Sequence, residues 1–158
     1  MKFVAILLAL LLSFGSAEAA SKYRVTDGDS LSLGKHRIRL NGIDAPEYSQ
    51  ECYYANRKRY ACGIKSYQHL KKLVNSGKVT CVENDIDIYK RSLSTCYVLR
   101  ADGSRVNIND DMVRSGWAVT YRDDAGEYAD AEAEAKRNKS GIWQGKFMKP
   151  QLYRILNK

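Results

Sequence analysis

Apolar and polar positions alternate in short runs through the first half of the chain and shift to a helical spacing at a few defined places. From Tyr23 to Leu33 the alternation is weak and is broken by "DGDS", a turn signal. "HRIRLNG" reads as a cleaner strand, with His36, Ile38 and Leu40 on one side and Arg37 and Arg39 on the other. "CGIKSYQHLKKLVNSG" has the spacing of an amphipathic helix whose face is Ile64, Tyr67, Leu70 and Val74, with Gly77 just past its end. "KVTCVEND" and "LSTCYVL" read as the two arms of a hairpin around the charged turn "IDIYKRS". "ADGSRV" turns into a short strand, and "NDDMVRSGWAV" is a short helix with acids in its first turn. "EYADAEAEAKRNKSGIW" is expected to be the last helix, closed by Gly141. Strands early, with helices inserted among them, predict an α+β domain: a small, highly curved barrel with helices packed on it.

The first twenty residues read differently. Lys2, an apolar run from Phe3 to Leu12 and a small-residue ending at Ala17–Glu18–Ala19 form the pattern of a secretory signal peptide. The run is short for a membrane span. Residues 1–20 are therefore expected to be removed, leaving 21–158 as one domain, secreted or periplasmic and monomeric, without a stable hold on the membrane. Cleavage removes Lys2 and Glu18 together, so the net charge stays at +8. An exported domain this basic favours an anionic partner such as nucleic acid, lipopolysaccharide or an anionic membrane, without choosing among them.

Four cysteines in an exported chain predict disulfides, and three pairings are possible. Cys81 and Cys96 lie about equally far from the hairpin turn, which favours that pair and leaves Cys52 with Cys62. A zinc site does not fit, because there is no C-x-x-C and only His36 and His69 could contribute.

The candidate chemistry lies in "DGDS" (27–30), "RLNGIDAPE" (39–47), "DIYKR" (87–91) and "WAVTYR" (117–122). Phosphodiester cleavage needs a hard cation on oxygen ligands, cationic donors for the phosphate, and a carboxylate near the attacking water. Asp29, Asp44, Glu47, Arg39 and Arg91 supply that set. Pro46 biases Ala45 toward extended geometry and so fixes its carbonyl, a group that suits calcium. Asp27 is expected to shape the turn.

These segments resemble the staphylococcal nuclease (thermonuclease) family, in order, from Tyr23 to Trp143. "DGDS" is similar to its D-G-D-T/S, "RLNGIDAPE" to its R-L-x-x-x-D-x-P-E, and "DIYKR" to its D-x-Y-G-R. "SGWA" and "AEAKRNKSGIW" resemble its R-x-G-x-A and closing E-A-x-A-K-x-x-x-x-G-I-W segments. The resemblance implies an OB-type five-stranded β-barrel with about three helices. It also implies a Ca2+-dependent endonuclease that cuts DNA and RNA and leaves 3′-phosphate ends. Residue by residue, Asp29, Asp44 and the Ala45 carbonyl would hold calcium, Glu47 would position or deprotonate water, and Arg39 and Arg91 would clamp the phosphate. Tyr89 and Tyr121 would contact the substrate by stacking. Lys90 stands where the family has glycine, and Val119 where a stacking tyrosine is expected. A rival class, an OB-type nucleic-acid-binding module without catalysis, would keep the barrel and the basic surface and lose the carboxylates.

Overall fold

A computed structural model describes residues 22–123 and 126–157; the proposed signal peptide lies outside the described residues. Strands β1 (Arg24–Asp27), β2 (Ser30–Leu33) and β3 (His36–Leu40) run as a meander into the two-residue β4 (Ile43–Asp44). The short β5 (Cys52–Tyr54) and β6 (Arg59–Tyr60) pair before helix α1 (Cys62–Val74). The long hairpin of β7 (Gly77–Ile86) and β8 (Ser92–Arg100) follows, then β9 (Arg105–Asn107) and α2 (Ile108–Arg114). After β10 (Val119–Thr120) come α3 (Ala129–Arg137), a 3₁₀ turn (Gly141–Gln144), β11 (Gly145–Lys146) and α4 (Pro150–Leu156).

The main sheet has the order β1-β2-β3-β8-β7, and β9 pairs β8 at Tyr97–Leu99, beyond the Ser92–Ser94 stretch that β3 occupies. Its neighbours are antiparallel except β3 and β8, which run parallel with Arg39 opposite Leu93. This is the strand order of a curled OB-type sheet, in agreement with the expected α+β class. Ile38 and Leu40 alternate inward from β3, where they meet Leu31, Val98, Leu70 of α1, and Ile108 and Met112 of α2. Each is nearly or wholly removed from water, and burying such a side chain contributes about 1.5–3 kcal/mol. Both disulfides form as expected. Cys81 and Cys96 face each other across the hairpin, and Cys52–Cys62 fastens β5 to the first residue of α1.

Several local expectations are corrected. The described residues form four α-helices, consistent with the expected fold, and α4 is the one the sequence reading did not include. The buried face of α1 is Cys62, Ser66, Leu70, Leu73 and Val74, while Ile64 and Tyr67 are only half-buried. A buried serine on that face disguises it: Ser66 Oγ donates to the Trp117 carbonyl at 2.8 Å. Gly77 lies past the end of α1, as expected, and also opens β7. His36, at the mouth of β3, is exposed. Gly141 does not close α3. Lys139 does so with φ +51, its amide donating to the Lys136 carbonyl and the Ser140 amide to the Ala135 carbonyl. That is the paired C-terminal bonding usually built on glycine.

Candidate active site

The β1–β2 turn, the β3–β4 turn and the loop after β4 meet at one end of the sheet. In the first turn, Asp27 Oδ1 accepts the Asp29 amide at 3.0 Å, and the Asp29 carbonyl accepts the Leu40 amide at 2.8 Å. A Cβ on Gly28 would lie 2.2 Å from Ser66 Oγ and 2.8 Å from Ala45 Cβ. Only glycine lets this turn press against α1 and the Asp44–Ala45 segment. The Asp29 carboxylate accepts the Ser30 hydroxyl at 2.8 Å and the Ala45 amide at 3.2 Å.

The second turn is the Asn41–Gly42 pair. Gly42 has φ +76, and a Cβ there would meet the Tyr128 ring at 2.7 Å, so the turn requires glycine on both counts. The Asn41 amide donates to the Ser94 carbonyl at 2.8 Å. Fully buried Asn109 of α2 ties the turn to β8: its Nδ2 donates to the carbonyls of Asn41 (2.9 Å) and Ser94 (3.1 Å), and its Oδ1 accepts the Cys96 amide (3.0 Å). Pairing of β4 with β10 then sets Asp44 opposite Val119.

Arg39 leaves β3 on the side away from Ile38 and Leu40 and bridges both turns. Its Nη1 donates to Asp29 Oδ1 at 3.0 Å and its Nη2 to Asp44 Oδ1 at 2.8 Å. Asp29 and Asp44 are 3% and 1% exposed, so two carboxylates share one guanidinium out of water. Burial, with the Asp27 carboxylate adding to it against the pull of Arg39, pushes the Asp29 carboxyl up to about 6. Burial opposes the charge on Arg39, but the two aspartates outweigh it and hold the guanidinium further toward its protonated form.

Glu47 lies in the loop after Pro46. Its amide donates to Gln50 Oε1 at 3.2 Å, and Gln50, wholly buried, donates through Nε2 to the Met148 carbonyl at 2.7 Å. This loop is thus tied to the C-terminal segment. A second guanidinium completes the cluster. Arg154 of α4 donates from Nη1 to Asp44 Oδ1 (2.9 Å) and Glu47 Oε1 (2.8 Å), and from Nη2 to Asp44 Oδ2 (3.1 Å). Arg154, Gln50 and Asn109 were not among the residues that the sequence motifs pointed to. Arg154 lies beyond the closing motif, and an Asn or Gln acting as a buried hub carries no periodic signal.

Arg91 and Tyr89 lie in the turn between β7 and β8. Asp87 organises their loop: its Oδ1 accepts the amides of Tyr89 and Arg91, and its Oδ2 accepts Arg91 Nε at 2.7 Å. Arg91 also lies 5.5 Å from the Tyr89 ring centre. Lys90 takes φ +58, which accounts physically for glycine at this place in the resembling family. The loop is held beside β3, since Arg37 donates to the Tyr89 carbonyl. Tyr89 is exposed; half-buried Tyr121 donates its amide to the Gly42 carbonyl and has Arg122 at 5.2 Å from its ring. Val119, in the place of a stacking aromatic, is buried in a second core with Cys52, Cys62, Tyr60 and Ile142.

Among the described residues, no three His, Cys, Asp or Glu side chains stand close enough to hold a metal by themselves. The oxygen-only set of two buried aspartates beside the Ala45 peptide nevertheless fits a hard cation completed by water or phosphate oxygens, and it does not fit zinc. With Glu47, three carboxylates face two guanidinium groups, so the cluster is short of positive charge.

Fold and cluster together define an α+β barrel protein with an acidic, arginine-bound centre at one end of its sheet. The family described as staphylococcal nuclease homologue matches residues 37–145, and the chain belongs to it. A succinoglycan biosynthesis protein of Rhizobium meliloti is 37% identical over 145 residues, covering 89% of this chain and 74% of its own. A micrococcal nuclease of Shigella flexneri is 34% identical over 133 residues, 76% of this chain and 70% of its own. An uncharacterized endonuclease of Haemophilus influenzae is 32% identical over 152 residues, 87% and 77% of the two chains. The family match begins after Asp29 and ends before Arg154.

Proposed function

We propose that this chain is an exported, Ca2+-dependent endonuclease that hydrolyses phosphodiester bonds of DNA and RNA and leaves 3′-phosphate ends. The observation that carries this is the Arg39 fork joining buried Asp29 and Asp44, with Glu47 held at the same cluster. Asp29, Asp44 and the Ala45 carbonyl would hold the calcium, which when bound would polarise the phosphate and acidify water. Glu47 orients the attacking water and takes its proton. A new P–O bond forms from that water as the bond to the 5′-oxygen breaks, and the departing oxygen is protonated from solvent. Arg39 spends its two terminal nitrogens on the aspartates; a guanidinium carries five N–H donors, so part of the set remains for a phosphate oxygen. Arg91, held by Asp87 at the start of β8, supplies the second clamp, and Tyr89 and Tyr121 offer faces for bases. The +8 net charge draws the polyanion to the site. Two disulfides suit an oxidising compartment, periplasmic or extracellular, reached through removal of residues 1–20.

The test is cleavage of single-stranded DNA and of RNA by the oxidised protein with calcium or EGTA, followed by analysis of the new termini. Calcium-dependent cutting with 3′-phosphate products is expected. Tight binding without cutting would instead make this a binding module.

A further inference from the structure

The carboxylates assigned to the metal and the water are already bound by a cation of the chain itself. Arg154 engages both oxygens of Asp44, at 2.9 and 3.1 Å, and reaches Glu47 Oε1 at 2.8 Å with the same Nη1. Arg39 takes Asp44 Oδ1 as well, at 2.8 Å. Asp44 therefore accepts three charge-assisted hydrogen bonds, and a divalent ion on the same oxygens would stand directly against the Arg154 charge. Arg39 is fixed within β3. Arg154 is not so constrained. Its helix is seven residues long and leaves Leu152, Ile155 and Leu156 47%, 58% and 62% exposed, so little apolar burial holds α4 in place. What anchors the segment before it is polar: buried Gln50 joins the Met148 carbonyl to the Glu47 amide. The tether thus keeps Arg154 close to the site while permitting it to leave the carboxylates. Asp44 and Glu47 hold Arg154 firmly in its charged form even though burial opposes it.

We infer that Arg154 is a positioning residue of the active centre: an internal counter-ion that holds Asp44 and Glu47 in place without metal and must be displaced from Asp44 by calcium. It rests on the calcium-nuclease reading above. Docking of α4 and metal binding then oppose each other, and the apparent calcium affinity is set by how often the helix is undocked. Arg154→Gln removes the competing charge at a partly exposed position without opening a core cavity, and Arg154→Lys keeps the charge while losing the fork.

The experiment is calorimetric titration of calcium into the wild type, Arg154→Gln and Arg154→Lys without nucleic acid, with hydrogen exchange of residues 148–157 measured before and after calcium. If α4 is docked in about nine-tenths of molecules, Arg154→Gln binds calcium about tenfold more tightly, with Arg154→Lys between the two. Calcium also speeds exchange in α4 of the wild type. Equal or weaker calcium binding by Arg154→Gln, or α4 exchange indifferent to calcium, overturns the counter-ion role and leaves the nuclease reading standing. No calcium binding by any of the three proteins overturns both.

Discussion

Asn109→Ala isolates the contribution of a single buried amide to the geometry of the site. The side chain is wholly buried and makes three hydrogen bonds: to the Cys96 amide at 3.0 Å and to the Asn41 and Ser94 carbonyls at 2.9 and 3.1 Å. Alanine removes all three, but their loss is unequal. The Ser94 carbonyl keeps the Asn41 amide at 2.8 Å, whereas the Cys96 amide and the Asn41 carbonyl lose the partner Asn109 provides. Each buried group left unsatisfied costs about 1–3 kcal/mol, so with two such groups the substitution should destabilise the protein by about 2–6 kcal/mol. That is a large share of the roughly 5–15 kcal/mol that holds a domain together. The same substitution frees the Asn41–Gly42 turn that delivers Asp44, so cleavage should fall even where the variant is still folded. Urea unfolding of the oxidised protein gives the stability change, and single-turnover cleavage at a temperature below the transition gives the second effect. A loss of under about 1 kcal/mol, or full activity in the folded variant, would refute the role given to this amide.

Lys90→Gly should stabilise the protein by about 0.5–1 kcal/mol in denaturant unfolding, because it relieves a left-handed non-glycine residue at some cost in unfolded-chain entropy. Replacing Cys81 and Cys96 by serine should cost about 3 kcal/mol in the same assay, given a sequence separation of 15. Replacing Cys52 and Cys62 should lower cleavage more than stability, since that bond fixes the end of the Glu47 loop to α1. The metal-free protein should also show a pH signature. The Asp29 carboxyl, ordinarily near 3.8, is raised by burial to about 6, so between these values the folded chain holds a proton that the unfolded chain releases. Its stability contribution is then fully present below about pH 4 and is lost as pH rises to about 6. Unfolding measured across that range in EGTA should show this slope in the wild type and not in Asp29→Asn.

The alternation of Ile38 and Leu40, the long β7–β8 hairpin and the Cys81–Cys96 pair were legible because period-two burial and cross-strand register are local properties of the chain. The acids of the two turns were legible for a related reason: Gly28, Gly42 and Pro46 punctuate the sequence at the places where backbones must approach. The face of α1 was not, because buried Ser66 interrupts the apolar spacing to serve the Trp117 carbonyl, a partner 51 residues away. Helix α4 carries Leu152, Ile155 and Leu156 at helical spacing but leaves them exposed, and it lies beyond the closing motif, so Arg154 escaped notice. The end of α3 was misread because Lys139 adopts a conformation usually left to glycine.

The most direct test of the proposed chemistry compares single-turnover cleavage by wild-type protein and Glu47→Gln in saturating calcium, with EGTA as the blank. Glutamine keeps the shape of the side chain and removes its capacity to take a proton. A loss of about 10²–10⁴-fold with calcium binding retained is the result predicted for a carboxylate that deprotonates the water. Undiminished cutting by Glu47→Gln would contradict that role for Glu47, and cutting that persists in EGTA would contradict the calcium site itself.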